Sequence, residues 1–92
     1  MSFENEQDNR MHKAGWLVLS PGEAYEYRFT LGASVYLIKE EKGWVLWRAY
    51  WSPGEPIPRS EKELAVLANF EQAFQRAQSY VEWRKGRRRG AS

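Results

Sequence analysis

Residues 44–51 read Trp44-Val45-Leu46-Trp47-Arg48-Ala49-Tyr50-Trp51 and carry three of the chain's five tryptophans. Successive side chains of a strand point to opposite faces of a sheet. Here both alternating sets are apolar or aromatic, with Arg48 the one charged member. Such a strand needs cover on two sides. What supplies the second cover decides both the fold and the functional question.

Working outward, Ser34–Lys39 is a second apolar strand, joined to the first through Glu40-Glu41-Lys42-Gly43. A Gly-terminated connection of this length predicts a hairpin. With the loop Glu41-Lys42-Gly43, Ile38 lies opposite Leu46 and Tyr36 opposite Arg48. Tyr36, Ile38, Trp44, Leu46, Arg48 and Tyr50 then share one face, and Val35, Leu37, Val45, Trp47, Ala49 and Trp51 the other. A two-residue loop exchanges the cross-strand partners. Upstream, Tyr25, Tyr27, Phe29 and Leu31 alternate with Glu26, Arg28 and Thr30, the pattern of a half-buried strand. Trp16–Leu19 is a short apolar run closed by Ser20-Pro21-Gly22-Glu23, where Pro presets φ and Gly accepts a positive φ, as a type II turn requires.

Downstream, Ser52-Pro53-Gly54-Glu55 repeats that tetrapeptide. Its flanks do not match, so it reads as a turn used twice and not as a duplication. Pro56 and Pro58 stiffen the connection that follows. Ser60-Glu61-Lys62-Glu63 has capping-box spacing and predicts a helix over 61–84, ended by Gly86. Leu67, Phe70, Phe74, Ala77 and Val81 form its apolar stripe, widened by Val66, Ala73 and Tyr80.

The expected fold is α+β: an antiparallel meander of three to four strands, followed by one long C-terminal helix packed on one sheet face. Residues 1–13 read as a flexible arm that Phe3 and Met11 could anchor, 14–84 as the single domain, and 85–92 as a basic tail. In element order this resembles the single-strand-binding transcriptional coactivator domains. That resemblance implies paired copies and nucleic-acid contact through basic and aromatic strand residues.

One helix cannot dry both faces of such a sheet. Leaving large apolar side chains wet forgoes ~1.5–3 kcal/mol of burial for each. Three solutions are open: the sheet curls over part of its own second face, a second copy of the chain pairs with it, or the face receives a ligand. Tyr36, Trp44, Arg48 and Tyr50 are the residues expected on that platform, with rings and a guanidinium suited to stacking unpaired bases.

Charge adds a second signal. Residues 1–9 hold three acids and no base, residues 10–83 nine of each, and residues 84–92 five bases and no acid. Arg84, Lys85, Arg87, Arg88 and Arg89 therefore form a local phosphate-binding candidate on a neutral body. The chemistry of catalysis is poorly represented. His12 is the one histidine, cysteine is absent, and no phosphate-cradling glycine loop occurs. Glu40-Glu41 fits a solvated hairpin tip, and Glu61 and Glu63 fit a helix start. No catalytic group, metal or cofactor is expected. Absence of cysteine fits the cytoplasm, and no apolar run reaches the ~18 residues of a membrane span. The leading expectation is a small nucleic-acid-binding protein, and the alternative is a module or regulator that docks its aromatic patch on a partner protein.

Overall fold

The aromatic strand sits fourth in a five-stranded antiparallel meander, ordered β1-β2-β3-β4-β5. The computed structural model describes residues 5–90, with side chains through residue 86. Its elements are α1 (Glu6–Lys13), β1 (Leu17–Ser20), β2 (Ala24–Thr30), β3 (Ala33–Glu40), β4 (Gly43–Tyr50), β5 (Ser60–Leu67) and α2 (Phe70–Gly90). The α+β meander with a C-terminal helix is as expected. The strand count, the first helix and the start of the last helix are not. Phe3, within the expected arm, lies outside the described residues.

Ser60–Leu67 is a strand, although its Glu, Lys, Leu and Ala content favours a helix. The reason lies in β4. An apolar strand with one edge unpaired leaves a row of N–H and C=O groups without partners. Pairing with β5 fills that row from Trp44↔Leu67 to Tyr50↔Ser60, with a bulge between Leu46 and Trp47. The helix begins nine residues later than the spacing predicts. Its cap is Asn69, whose Oδ1 accepts the Gln72 N–H at 2.9 Å. The stripe from Phe70 onward packs as expected: Ala73, Ala77 and Val81 are buried against Val35, Leu37, Trp44 and Leu46. Gly86 does not end the helix, which continues to Gly90.

The residues expected to form a flexible arm from Glu6 onward are helical. Asn5 Oδ1 accepts the Gln7 N–H at 2.8 Å, and Glu6 and Asp8 in the first turn with Arg10, His12 and Lys13 in the last complement the helix dipole. Eight residues do not hold a helix alone in water. Met11 is fully buried in the core, and Asp8, 1% exposed, accepts from Tyr25 Oη at 2.6 Å and from the Gly22 N–H at 2.8 Å. Arg10 clamps α1 to α2 through Glu71 at 2.7 Å, holding that carboxyl below its ordinary range.

Both Ser-Pro-Gly-Glu segments form the expected turn. Glu23 N–H donates to Ser20 O and Glu55 N–H to Ser52 O, with Gly22 at φ 73° and Gly54 at φ 79°. The β3–β4 hairpin differs from expectation. Glu40 pairs with Gly43, leaving Glu41 and Lys42 as the loop, so Ile38 faces Val45 and Tyr36 faces Trp47. Gly43 is needed inside the ladder because a Cβ there would lie 2.6 Å from the Leu67 carbonyl oxygen. That single-residue shift rewrites both faces.

Candidate nucleic-acid interface

The observed register puts Trp44, Leu46, Arg48 and Tyr50 beside Val35, Leu37, Tyr25 and Tyr27 on the helix side of the sheet. Tyr36, Ile38, Val45, Trp47, Ala49 and Trp51 fall on the opposite, open side. The expected platform of Tyr36, Trp44, Arg48 and Tyr50 is thus divided between two faces. Trp44 leaves it altogether. It is 6% exposed, stacked 6.2 Å from Tyr25 and edge-on to Phe70 at 5.4 Å, a core residue under the helix start.

Arg48 and Tyr50 meet the end of α2 instead. The Arg48 guanidinium lies 5.1 Å from the Tyr50 ring centroid, and Arg84 lies 5.4 Å from the same ring and 4.4 Å from Phe29. Arg84 also donates to Tyr80 Oη at 3.1 Å. Lys85 Nζ stands 5.0 Å over Tyr27. Four of the nine nominated residues are therefore brought together by β4 and α2. Arg87, Arg88 and Arg89 follow on the same helix, and their side chains lie outside the described ones.

The electrostatics of this cluster are unusual for a folded surface. Lys62 sits directly opposite Arg48 across the β4–β5 ladder. Like charges in directly opposed positions destabilise a sheet. Elsewhere cations meet carboxylates: Arg10 with Glu71, Arg28 with Glu26, Lys42 with Glu63. Among the described residues neither Arg48, Lys62 nor Arg84 has such an ion pair, and the buried Nε of Arg48 has no hydrogen-bond partner. Alternation along β5 is the cause, since Glu61 and Glu63 point to the open face and Lys62 to the helix face. Aromatic faces hold Arg48 and Arg84 in place of acids. Trp83, 54% exposed, extends the ring array from Tyr80 at 5.9 Å, beside a groove lined by Arg76, Ser79, Tyr80 and Trp83.

Tyr36 stands on the open side, where its hydroxyl donates to Glu26 Oε2 at 3.3 Å. Burial first, then the Glu26 charge and that hydrogen bond, push the Tyr36 phenol up to about 12. Glu26 itself is 3% exposed and also accepts from Ser34 Oγ at 2.8 Å. Small residues on this side, Ser34, Val45 and Ala49, are buried while Tyr36, Trp47 and Trp51 around them are half-buried. The sheet thus dries part of its second face with its own large side chains.

Sequence reasoning missed Tyr27, Phe29, Tyr80 and Lys62 as members of the cationic cluster, and Trp47 and Trp51 as members of the open face. The two-residue loop is the signal that could have found the second pair. Among the described residues, no group of three His, Cys, Asp or Glu side chains is placed to hold a metal ion, and no helix is long and apolar enough to cross a membrane. Protein-family models, curated proteins and solved structures yield no match to this chain.

Proposed function

We propose that the chain is a small non-catalytic nucleic-acid-binding protein whose phosphate seat lies where the end of α2 meets β2 and β4, beside Lys62 of β5. One observation carries the reading: Arg48 and Arg84 meet at the Tyr50 ring, Lys62 stands opposite Arg48, and none of the three has a carboxylate partner among the described residues, at the foot of a helix that continues into Lys85, Arg87, Arg88 and Arg89. A phosphate backbone supplies the missing counter-charge and releases condensed cations on binding. Trp83, Tyr80 and Tyr50 offer rings at the same place, so unpaired bases have surfaces on which to stack. The body of the chain is neutral, which confines the interaction to this end.

The test is a titration of the intact protein with single-stranded and duplex oligonucleotides, followed by tryptophan fluorescence at low and moderate salt. Binding should fade with salt, and replacing Arg87, Arg88 and Arg89 by Gln should weaken it at least tenfold at moderate salt, on the order of the loss when three phosphate contacts disappear. Equal affinity in that variant removes the helix end from the account. A second reading, docking on a partner protein, is favoured by the open face and has its own chemistry.

A further inference from the structure

The open face holds a slot that the nucleic-acid reading does not use. Along β4 and the residue that follows it, the sequence Trp47, Ala49, Trp51 places a small side chain between two large ones on that face, so Ala49, 1% exposed, forms a floor between indole walls. Tyr36 sits directly across the β3–β4 ladder from Trp47 and packs edge-on to Trp51 at 6.1 Å and 61°. Ile38, Pro58 and Glu61 complete a cavity of about 330 Å³. Glu61 lies directly opposite Ala49 on β5, which sets its carboxylate at the rim.

The edges of two of these rings are tied to acids. Trp47 Nε1 donates to Glu40 Oε2 at 2.8 Å, and Tyr36 Oη donates to Glu26. Trp51 is held by its backbone, whose N–H donates to Gly32 O at 2.9 Å. The Trp47 and Tyr36 rings are thereby fixed in orientation before any ligand arrives, which lowers the cost of binding. The ring faces carry negative quadrupole potential, and the surrounding charge has the same sign. Glu26 and Glu63 are matched by Arg28 and Lys42, whereas Glu40 and Glu61 have no ion pair among the described residues. Three aromatic walls with a carboxylate at the rim complement a cation.

We infer that this slot receives the protonated ammonium of a lysine side chain presented by an extended segment of a partner polypeptide. A primary ammonium, or one still bearing an N–H, can place its charge on the rings and donate a hydrogen bond to Glu61. A fully alkylated head cannot make that bond. The aliphatic stem would lie along Ile38 and Pro58. Beyond the slot, half-buried Ile38 and exposed Val66 stand in line on the same face, on either side of the fully buried Val45, and these two offer apolar contact to residues flanking the lysine. Those two flanking apolar side chains are the reason to name a polypeptide and not a free amine.

The experiment titrates the intact protein with a short extended peptide carrying a central lysine between aliphatic residues. Parallel peptides carry norleucine, arginine or Nε-trimethyllysine at that position. The readout is the shift of the Trp47 and Trp51 indole N–H resonances. The lysine peptide should bind roughly five- to thirtyfold more tightly than the norleucine peptide, the range expected of a cation over aromatic faces. Trp51→Leu should abolish the preference while leaving oligonucleotide binding unchanged, and Glu61→Gln should weaken lysine more than trimethyllysine. Equal binding of norleucine, tighter binding of arginine, or no saturable binding of any peptide at millimolar concentration overturns the inference. So does concentration-dependent self-association lost in Trp51→Leu, which would assign the face to a second copy.

Discussion

Asp8 shows how a single residue can organise a terminus. Its carboxylate accepts from the Tyr25 hydroxyl and the Gly22 N–H inside the fold, while Gln7 Nε2 donates to the same Tyr25 oxygen at 2.8 Å. Asp8→Ala leaves a buried hydroxyl and a backbone N–H without acceptors, which should cost about 2–3 kcal/mol in urea unfolding. The phenols make a second prediction. Burial, then the Asp8 hydrogen bond, raise Tyr25 from 10.0 to about 12, and Tyr36 is raised as far. Below pH 10 both states hold the proton. Between pH 10 and about 12 the unfolded chain loses it first, so stability falls as pH rises through that window. Urea midpoints across it should fall less in Tyr36→Phe than in the parent. Met11 was legible beforehand as an anchor of this terminus, and Asp8 was not. α1 contributes one apolar residue, Met11, and its other buried anchor is a carboxylate, so no hydrophobic period marks the segment.

At the level of elements, the competition between helix and strand over 60–67 is decided by the β4 edge. Local propensity and the capping-box spacing favour a helix, and they lose to the ladder of backbone hydrogen bonds that this segment completes. Ser60→Ala should therefore leave thermal stability within about 0.5 kcal/mol, because no helix starts there. Asn69→Ala should cost about 1 kcal/mol, the worth of an N-cap. Gly86 stands inside α2 with open space around its Cβ position, so Gly86→Ala should stabilise by about 0.5–1 kcal/mol in the same melts. Legibility followed the same division. Alternation in β2, the doubly apolar β3 and β4, both Pro-Gly turns and the stripe from Phe70 could be read because each is set by neighbours in the chain. The hairpin register could be narrowed to two loop lengths but not decided between them, since the choice depends on Gly43 making room for Leu67, a contact set by the fifth strand.

On the scale of the molecule, the sheet sorts charge. Bases from β4, β5 and the end of α2 gather with aromatic rings on the helix side. Carboxylates from β2, β3 and β5 gather with aromatic rings on the open side. The near-neutral total conceals two surfaces that differ in charge, with the proposed phosphate seat on one and the proposed cation slot on the other. The platform expected from the sequence joined parts of both, because one register step interchanged the partners of Tyr36. The basic run itself was plain in composition. What composition could not show is that it continues a helix already holding Arg84 against the rings of Phe29 and Tyr50.

Two adjacent positions on β5 allow this sorting to be tested directly. Lys62 points to the proposed phosphate seat and Glu61 to the opposite face, both are exposed, and neither is needed for the core. Oligonucleotide affinity measured across a salt series gives the number of phosphates neutralised from the slope. Lys62→Gln should reduce that slope by ~0.7 on single strands or ~0.9 on duplex, while Glu61→Gln leaves it unchanged. Equal slopes for Lys62→Gln and the parent, or a matching change from Glu61→Gln, would contradict a phosphate seat on the helix side.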